Sequence, residues 1–277
     1  MTTATTAERL LAWNPGHGLA PMEDPSSDIR LLVADSWLVR DGRVRGLTRH
    51  RERFLHACVD AGGPPLEQLT DFWRDMTAAL PRGEGAWFPR VELVPGGRQL
   101  QLRLRLRAAP ALAPGVRVWA AGQPDPRTVP RRKGPDLAVL ARVRRLASIS
   151  GRGAEEAVLT TPSGLVLEGA TSSVLWWEDQ TLCLPSPALP ILAGVTTGLI
   201  QARAAQSGIR LVHRERSVED LDGREVWLVN ALHGIRPVTD WSGTGTGTGR
   251  PMRAGPASHA AEWRKWLQDI MEPLPTD

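Results

Sequence analysis

Alternating strand and helix signatures around one proline-rich break predict an α/β (α+β) protein of two lobes. Three observations carry this. The chain has 277 residues and 42% hydrophobic content, more than one modest domain needs and enough for two packed lobes. Residues 123–131 (QPDPRTVPR) hold three prolines and mark the best boundary between lobes. Apolar periodicity switches between two and 3.6 on both sides of that break. The predicted organisation is therefore a small N-terminal α/β domain over 1–122, a linker over 123–131 and a larger domain over 132–277.

Residues 1–28 are rich in Pro, Gly and Ser and read as an irregular lead-in with at most a short strand at 10–13. The apolar run 29–44 (IRLLVADSWLVRDGRV) is broken by Asp41-Gly42, which predicts two strands joined by a turn. Thr48 is placed to cap a helix over 49–61, ended by Gly62-Gly63. Residues 66–80 predict a second helix with Leu69, Phe72, Trp73, Met76 and Leu80 on one face. Strands follow at 86–95 and 99–107. In the latter, Leu100, Leu102, Leu104 and Leu106 alternate with Gln101, Arg103, Arg105 and Arg107, predicting a leucine face and a solvated cationic face. A strand at 116–121 completes the first lobe. Beyond the break the pattern predicts helices at 136–148, 196–207 and 260–271, with strands at 157–160, 165–168, 173–177, 210–214 and 225–230. The glycines of 242–249 (SGTGTGTG) imitate a dinucleotide fingerprint, but no βαβ unit follows, so the segment reads as a loop.

Several functional classes are excluded by composition. No apolar run is long enough to cross a bilayer and the N-terminus lacks the features of a secretory signal, so a cytoplasmic protein without a membrane partner is expected. Cys58 and Cys183 are far apart and outside any CxxC, and His50 and His56 have no ligand cluster beside them. Neither a disulfide framework nor a metal is expected. The net charge is only +4 with arginines spread along the chain, so nucleic acid is not an expected partner.

Cation usage is more informative. Of 34 Lys plus Arg only Lys133 and Lys265 are lysines, and there is no Tyr. Lys265 falls on the polar face of the last predicted helix, whereas Lys133 precedes a helix in RRKGPDL with two arginines beside it. Neighbouring cations and burial pull a lysine amine down toward neutrality, where it can act as a nucleophile or base. Glu168 ends a strand in GLVLEGATSS, where an acid can pair with a protonated ring nitrogen. Val195 and Thr196 open a helix whose amides suit a phosphate. Arg53 lies in a helix one turn after His50, and Arg90 lies in a strand facing a prospective substrate carboxylate. Taken singly, a basic loop, a strand-end acid, a threonine cap and surface arginines explain these residues equally well.

Their order and local wording resemble the class IV (fold type IV) pyridoxal-phosphate aminotransferase family. The resemblance runs from about Val33 to Asp240 and is carried by DGRVRGLTRHRERFLHAC, KGPDL, AEEAVLTTPSGLVLEGATSSVLWW, PALPILAGVTTGLI and VWLVNALHGIRPV. It implies a two-lobed fold with a barrel-like sheet in the larger lobe, a cofactor between the lobes, pyridoxal 5′-phosphate held covalently by Lys133, Glu168 at the ring nitrogen, phosphate contacts from Arg53, Val195 and Thr196, and Asn230 shaping the pocket. A homodimer acting on a small-molecule amino substrate is implied as well. The Asn230-Ala231 form is closer to aminodeoxychorismate lyase, a step in folate precursor synthesis, than to branched-chain aminotransferases. Three departures speak against transamination more than against cofactor binding: no tyrosine follows the lysine, Thr197 replaces an arginine, and Ser173 stands where Asn is common. The expectation is a lyase converting 4-amino-4-deoxychorismate to 4-aminobenzoate and pyruvate. The alternatives are an aminotransferase for branched-chain or D-amino acids, or a noncatalytic binding protein of the same fold.

Overall fold

The computed structural model describes residues 8–23, 30–97, 99–243 and 251–276. Two compact units result. One contains Met1–Leu112 with Arg132–Pro135 and Ile270–Asp277, and the other contains Ala113–Arg131 with Asp136–Asp269. The division differs from the expected boundary in three places: residues 113–122, with the strand expected to complete the first lobe, fall in the second unit; residues 270–277 fall in the first; and Lys133 sits with the first unit, although the chain on both sides of 132–135 belongs to the other. A hydrogen bond ties it there, as described below. The proline-rich segment is also less of a linker than its composition suggests, since a strand continues to Pro124.

In the first unit, β1 (Arg9–Asn14), β2 (Gly18–Pro21), β3 (Val33–Ser36), β4 (Val39–Arg40), β5 (Arg43–Val44), α1 (Leu47–Asp60), α2 (Leu66–Ala78), β6 (Ala86–Trp87), β7 (Arg90–Gly96) and β8 (Gln99–Leu106) follow in order. A five-stranded sheet runs β2-β1-β8-β7-β3, and the small strands β6, β4 and β5 form a second sheet with Glu272–Pro273. The expected lead-in is thus a hairpin. The turn at Asp41-Gly42 joins β4 to β5 with both residues at positive φ. The cap at Thr48 is not formed: α1 starts two residues earlier from Gly46, without a side-chain cap. Leu69, Phe72, Trp73, Met76 and Leu80 are all buried, as their spacing requires.

The alternation in β8 places Leu102, Leu104 and Leu106 in the core. Its other face is not solvated, however. Arg103 is buried, and Arg105 bonds Glu92 and Glu8, because carboxylates on neighbouring chain segments neutralise the cations.

The second unit is built on β9 (Val116–Pro124), α3 (Leu137–Ser150), β10 (Glu156–Thr160), β11 (Val166–Gly169), β12 (Ser173–Glu178), β13 (Thr181–Leu184), α4 (Val195–Gln206), β14 (Leu211–His213), β15 (Val226–Asn230), β16 (Gly234–Ser242) and α5 (Ala260–Asp269). Eight strands form one mixed sheet in the order β11-β10-β9-β16-β15-β12-β13-β14. β13 and β16 have no counterpart in the periodicity reading. β16 (GIRPVTDWS) is broken by Pro237, and its register slips near Val238, so the alternation that would announce it is blurred. Val116, Val118, Val158, Val174, Trp176, Leu228 and Trp241 pack in one core cluster, while Leu140 of α3 packs with Leu159 and Leu167 in another. No helix of the described residues is long and apolar enough to cross a membrane. The loop at 242–249 lies outside the described residues after Gly243.

Candidate active site

Each unit carries a buried cluster of charge around a residue singled out in the sequence. In the first, β3 places Asp35 between Ala34 and Ser36, all three buried. Helix α1 packs on this strand and brings His50 and Arg53 to it, three positions apart and so on one helix face. Arg53 grips the carboxylate at two points, Nε to Oδ2 at 2.9 Å and one terminal nitrogen to Oδ1 at 2.6 Å. His50 Nδ1 lies 3.0 Å from Oδ1, and the Ser36 amide donates to the same oxygen at 2.7 Å.

Lys133 reaches the cluster because its segment docks on the edge of β3, where the Ala34 amide donates to the Lys133 carbonyl at 2.8 Å. Gly134 follows at φ 136°, and any Cβ there would sit 2.8 Å from the Val33 Cα and the Ala34 nitrogen, so the docking requires glycine. The Lys133 amine lies 3.7 Å from Asp35 Oδ1.

Burial sets the electrostatics, and the ion pairs modify it. Burial lowers the Lys133 amine, Asp35 raises it, and Arg53 and Arg107 lower it again, leaving it at about 8. About a tenth of such an amine is neutral at pH 7, against well under a thousandth for an ordinary lysine. Burial opposes the charge on Asp35, but Arg53, His50 and Lys133 outweigh it and hold the carboxyl well below the usual range. Burial also lowers His50, which is therefore neutral at pH 7 and orients Asp35 as a donor through Nδ1.

Arg90 bonds Glu92 Oε1 through two of its nitrogens, at 2.7 and 2.6 Å. Arg107, whose charge reaches Lys133 together with that of Arg53, donates to the Phe88 carbonyl and lies 5.0 Å over the Phe88 ring.

The second unit's cluster centres on Glu168 at the end of β11. Arg127 bonds Glu168 Oε1, and the Leu192 amide donates to the same oxygen at 3.1 Å. Among the described residues Oε2 has no hydrogen-bond partner. Burial raises Glu168 to about 7 although Arg127 and the Leu192 amide oppose the shift. Arg127 is itself held by Asp125 and by the Pro190 carbonyl, so the acid is fixed by the loop that leads into α4.

That helix starts at Gly194 without a side-chain cap, so its first amides have no partner inside the helix. Val195 and Thr196 are buried there, and the Thr197 hydroxyl is buried with no partner among the described residues. A Cβ on Gly194 would lie 2.8 Å from the Ser173 hydroxyl and 3.0 Å from that of Thr197, filling the space above the helix start. Asn230 closes the neighbouring turn: its Oδ1 accepts from the Leu232 and His233 amides, and its Nδ2 donates to the Thr171 carbonyl.

The structure thus brings Lys133 and Arg53 to Asp35 in one unit; in the other, Glu168 bonds the Leu192 amide in the loop before α4, and Asn230 bonds the Thr171 carbonyl just after β11. It adds Asp35, His50, Arg107, Arg127 and Thr197. His50 and Thr197 already stand out beside Arg53 and Thr196 in the sequence, and Asp35 is an acid within the apolar stretch 31–39. Arg127 and Arg107 are two arginines among very many.

Chemically, the first cluster offers a partly neutral amine beside surplus positive charge. The second offers an acid with one open oxygen and a helix start with unpaired donors, the means to hold a protonated ring nitrogen and an anion.

Residues 32–241 match the sequence profile of the amino-transferase class IV family. No curated protein matches the chain. Among solved structures, a fold IV transaminase from Curtobacterium pusillum aligns with TM-score 0.70 and 20% identity, covering 94% of this chain and 97% of its own. A hypothetical aminotransferase from Mycobacterium tuberculosis in its PLP-bound form aligns with TM-score 0.72 and 22% identity, covering 94% and 98%. A 4-amino-4-deoxychorismate lyase from Pseudomonas aeruginosa aligns with TM-score 0.69 and 24% identity, covering 90% and 96%. At these identities the likenesses show the fold, which is the mixed α/β fold type IV. With three quarters of its length inside the family profile, the chain belongs to the class IV aminotransferase family.

Proposed function

We propose that the protein is a pyridoxal-5′-phosphate enzyme that converts 4-amino-4-deoxychorismate to 4-aminobenzoate and pyruvate. The carrying observation for the cofactor is the Lys133 amine, buried enough to fall to about 8 and docked on β3 beside Asp35. The residues fit the group: an amine, an acid with one free oxygen at Glu168, and a helix start whose buried Thr197 hydroxyl lacks a partner. When bound, the cofactor supplies an aldehyde for amines and a ring that accepts an electron pair.

Lys133 is the residue of covalent attachment. Its amine would take the proton from the ring carbon that bears the substrate amine. The same proton would be returned to the methylene carbon of the enolpyruvyl group as the bond from its oxygen to the neighbouring ring carbon breaks, so that the group leaves as pyruvate and the six-membered ring becomes aromatic. Glu168 Oε2 would accept the ring N–H and keep that nitrogen protonated. Val195, Thr196 and Thr197 would hold the phosphate at the start of α4, and Arg53 would supply positive charge for an anion. Asn230 fixes the turn beside Thr171 and so shapes the pocket wall.

The lyase is favoured over a transaminase by the Asn230-Ala231 pair and by the absence of any tyrosine. The transaminase reading for branched-chain or D-amino acids draws support from the two transaminase structures that the fold matches. An absorbance spectrum before and after borohydride, with peptide mapping, tests attachment at Lys133. Incubating the loaded protein with 4-amino-4-deoxychorismate should yield 4-aminobenzoate and pyruvate in equal amounts. Conversion of the cofactor to its amine form by amino acids, without these products, selects the transaminase instead.

A further inference from the structure

We infer that Asp35 is a positioning residue of the active site, the shared counter-ion that fixes Arg53 and the Lys133 amine to a single buried carboxylate. The geometry gives it no other evident task. A buried acid needs one good partner to be tolerated, and Arg53 supplies that with two bonds. Yet the Ser36 amide and His50 also reach Oδ1, at 2.7 and 3.0 Å, beside the Arg53 nitrogen at 2.6 Å, and the Lys133 amine approaches the same oxygen at 3.7 Å. Lys133 is brought there by a separate device, the docking of its backbone on β3 through Gly134.

The charged and titratable groups facing this centre are His50 and Arg53 from α1, Lys133 itself, and Arg107 beyond the end of β8. Asp35 is the acid that opposes the cations around the amine. Without it, Arg53 and Arg107 act on the amine unopposed, and Arg53 loses the bonds that aim it. The inference rests on the reading of Lys133 as the cofactor lysine, but its test does not.

The chain contains only two lysines, and Lys265 is exposed in a surface pair with Asp269, so it serves as an internal reference. Reductive methylation with formaldehyde and cyanoborohydride, followed by peptide mass spectrometry across pH 6 to 11, reports the protonation midpoint of each amine in the cofactor-free protein. Asp35→Asn is expected to lower the Lys133 midpoint by about one pH unit or more, raising its labelling at pH 7 relative to Lys265 up to about tenfold. Asp35→Glu should restore most of the original midpoint.

Arg53→Met should move the midpoint the other way, upward by about half a unit. An unchanged Lys133 midpoint in natively folded Asp35→Asn would overturn the inference. If that variant does not fold, an unchanged or lowered midpoint in Arg53→Met overturns it. Failure of borohydride to trap pyridoxal phosphate on wild-type Lys133 would defeat the cofactor reading separately, leaving the labelling result intact.

Discussion

Lys133 in the first unit shares one carboxylate, Asp35, with Arg53 and His50, and feels a further arginine, Arg107. Glu168 in the second unit has one arginine, Arg127, whose own charge is divided with Asp125. The first cluster therefore carries surplus positive charge and the second is close to balanced. Burial acts on both, but it drives the amine toward its neutral form from above and the acid toward its neutral form from below. A surplus of cations suits attraction of an anion and activation of an amine. A balanced pair suits holding one proton in a fixed place.

The comparison breaks most sharply at the amine. Lys133→Arg keeps the charge but removes the nucleophile, and we expect no borohydride-trapped cofactor and a loss of turnover of roughly 10²–10⁴-fold. Retained colour and turnover in this variant would end the proposal. Next in size is Arg127→Met, which strips the buried acid of its partner. Loss of one member of a buried pair costs about 3–5 kcal/mol, and here about 3 is expected because Glu168 can take up a proton instead. Urea unfolding measures it, and the loss should be larger at pH 8 than at pH 6.

The two clusters should also be separable by pH. Glu168 is raised in the folded protein from 4.5 to about 7, so the folded state holds its proton longer and stability falls as pH rises through that window. Lys133 is lowered from 10.5 to about 8, so the folded state releases its proton earlier and stability rises between those values. Each slope should amount to about 3 kcal/mol across its window. Glu168→Gln should flatten only the acidic slope and Lys133→Met only the alkaline one. A single variant that flattened both would show that the clusters titrate together.

The smallest effect sharpens the anion-binding half. Thr197→Val removes a buried hydroxyl without a partner, so the cofactor-free protein should gain about 1 kcal/mol in unfolding experiments. Its affinity for pyridoxal phosphate should fall about tenfold, the loss of one hydrogen bond to a charged group. A gain in stability with unchanged affinity would remove Thr197 from the phosphate site.

Much of this arrangement was legible in the residues. Lys133 was conspicuous because lysine is so rare in the chain, and Glu168 because it ends a strand before a run of small residues. The helices were legible where apolar spacing is clean, as in α2, and the strands where alternation is clean, as in β8. What could not be read were pairings over long separations. Asp35 and Lys133 lie almost a hundred positions apart, and nothing in VADSW says that its acid faces an amine. Arg127 sits in a proline-rich segment whose composition predicts a linker, yet its side chain is 5% exposed and fixes the acid of the site. Thr48 illustrates the reverse: local spacing named a cap, but α1 starts two residues earlier from Gly46, which takes the left-handed φ of 58° that glycine tolerates.

The path of the chain at 132–135 has a practical consequence. Those four residues belong to one unit while their flanks on both sides belong to the other. A fragment ending near residue 112 would keep Asp35 and Arg53 but forfeit the amine, and one beginning there would carry the amine without the strand that seats it. Dissecting this protein by a single cut, whether by protease or by expression of separate pieces, should therefore yield two halves each unable to bear the cofactor, and only their reassembly should turn yellow.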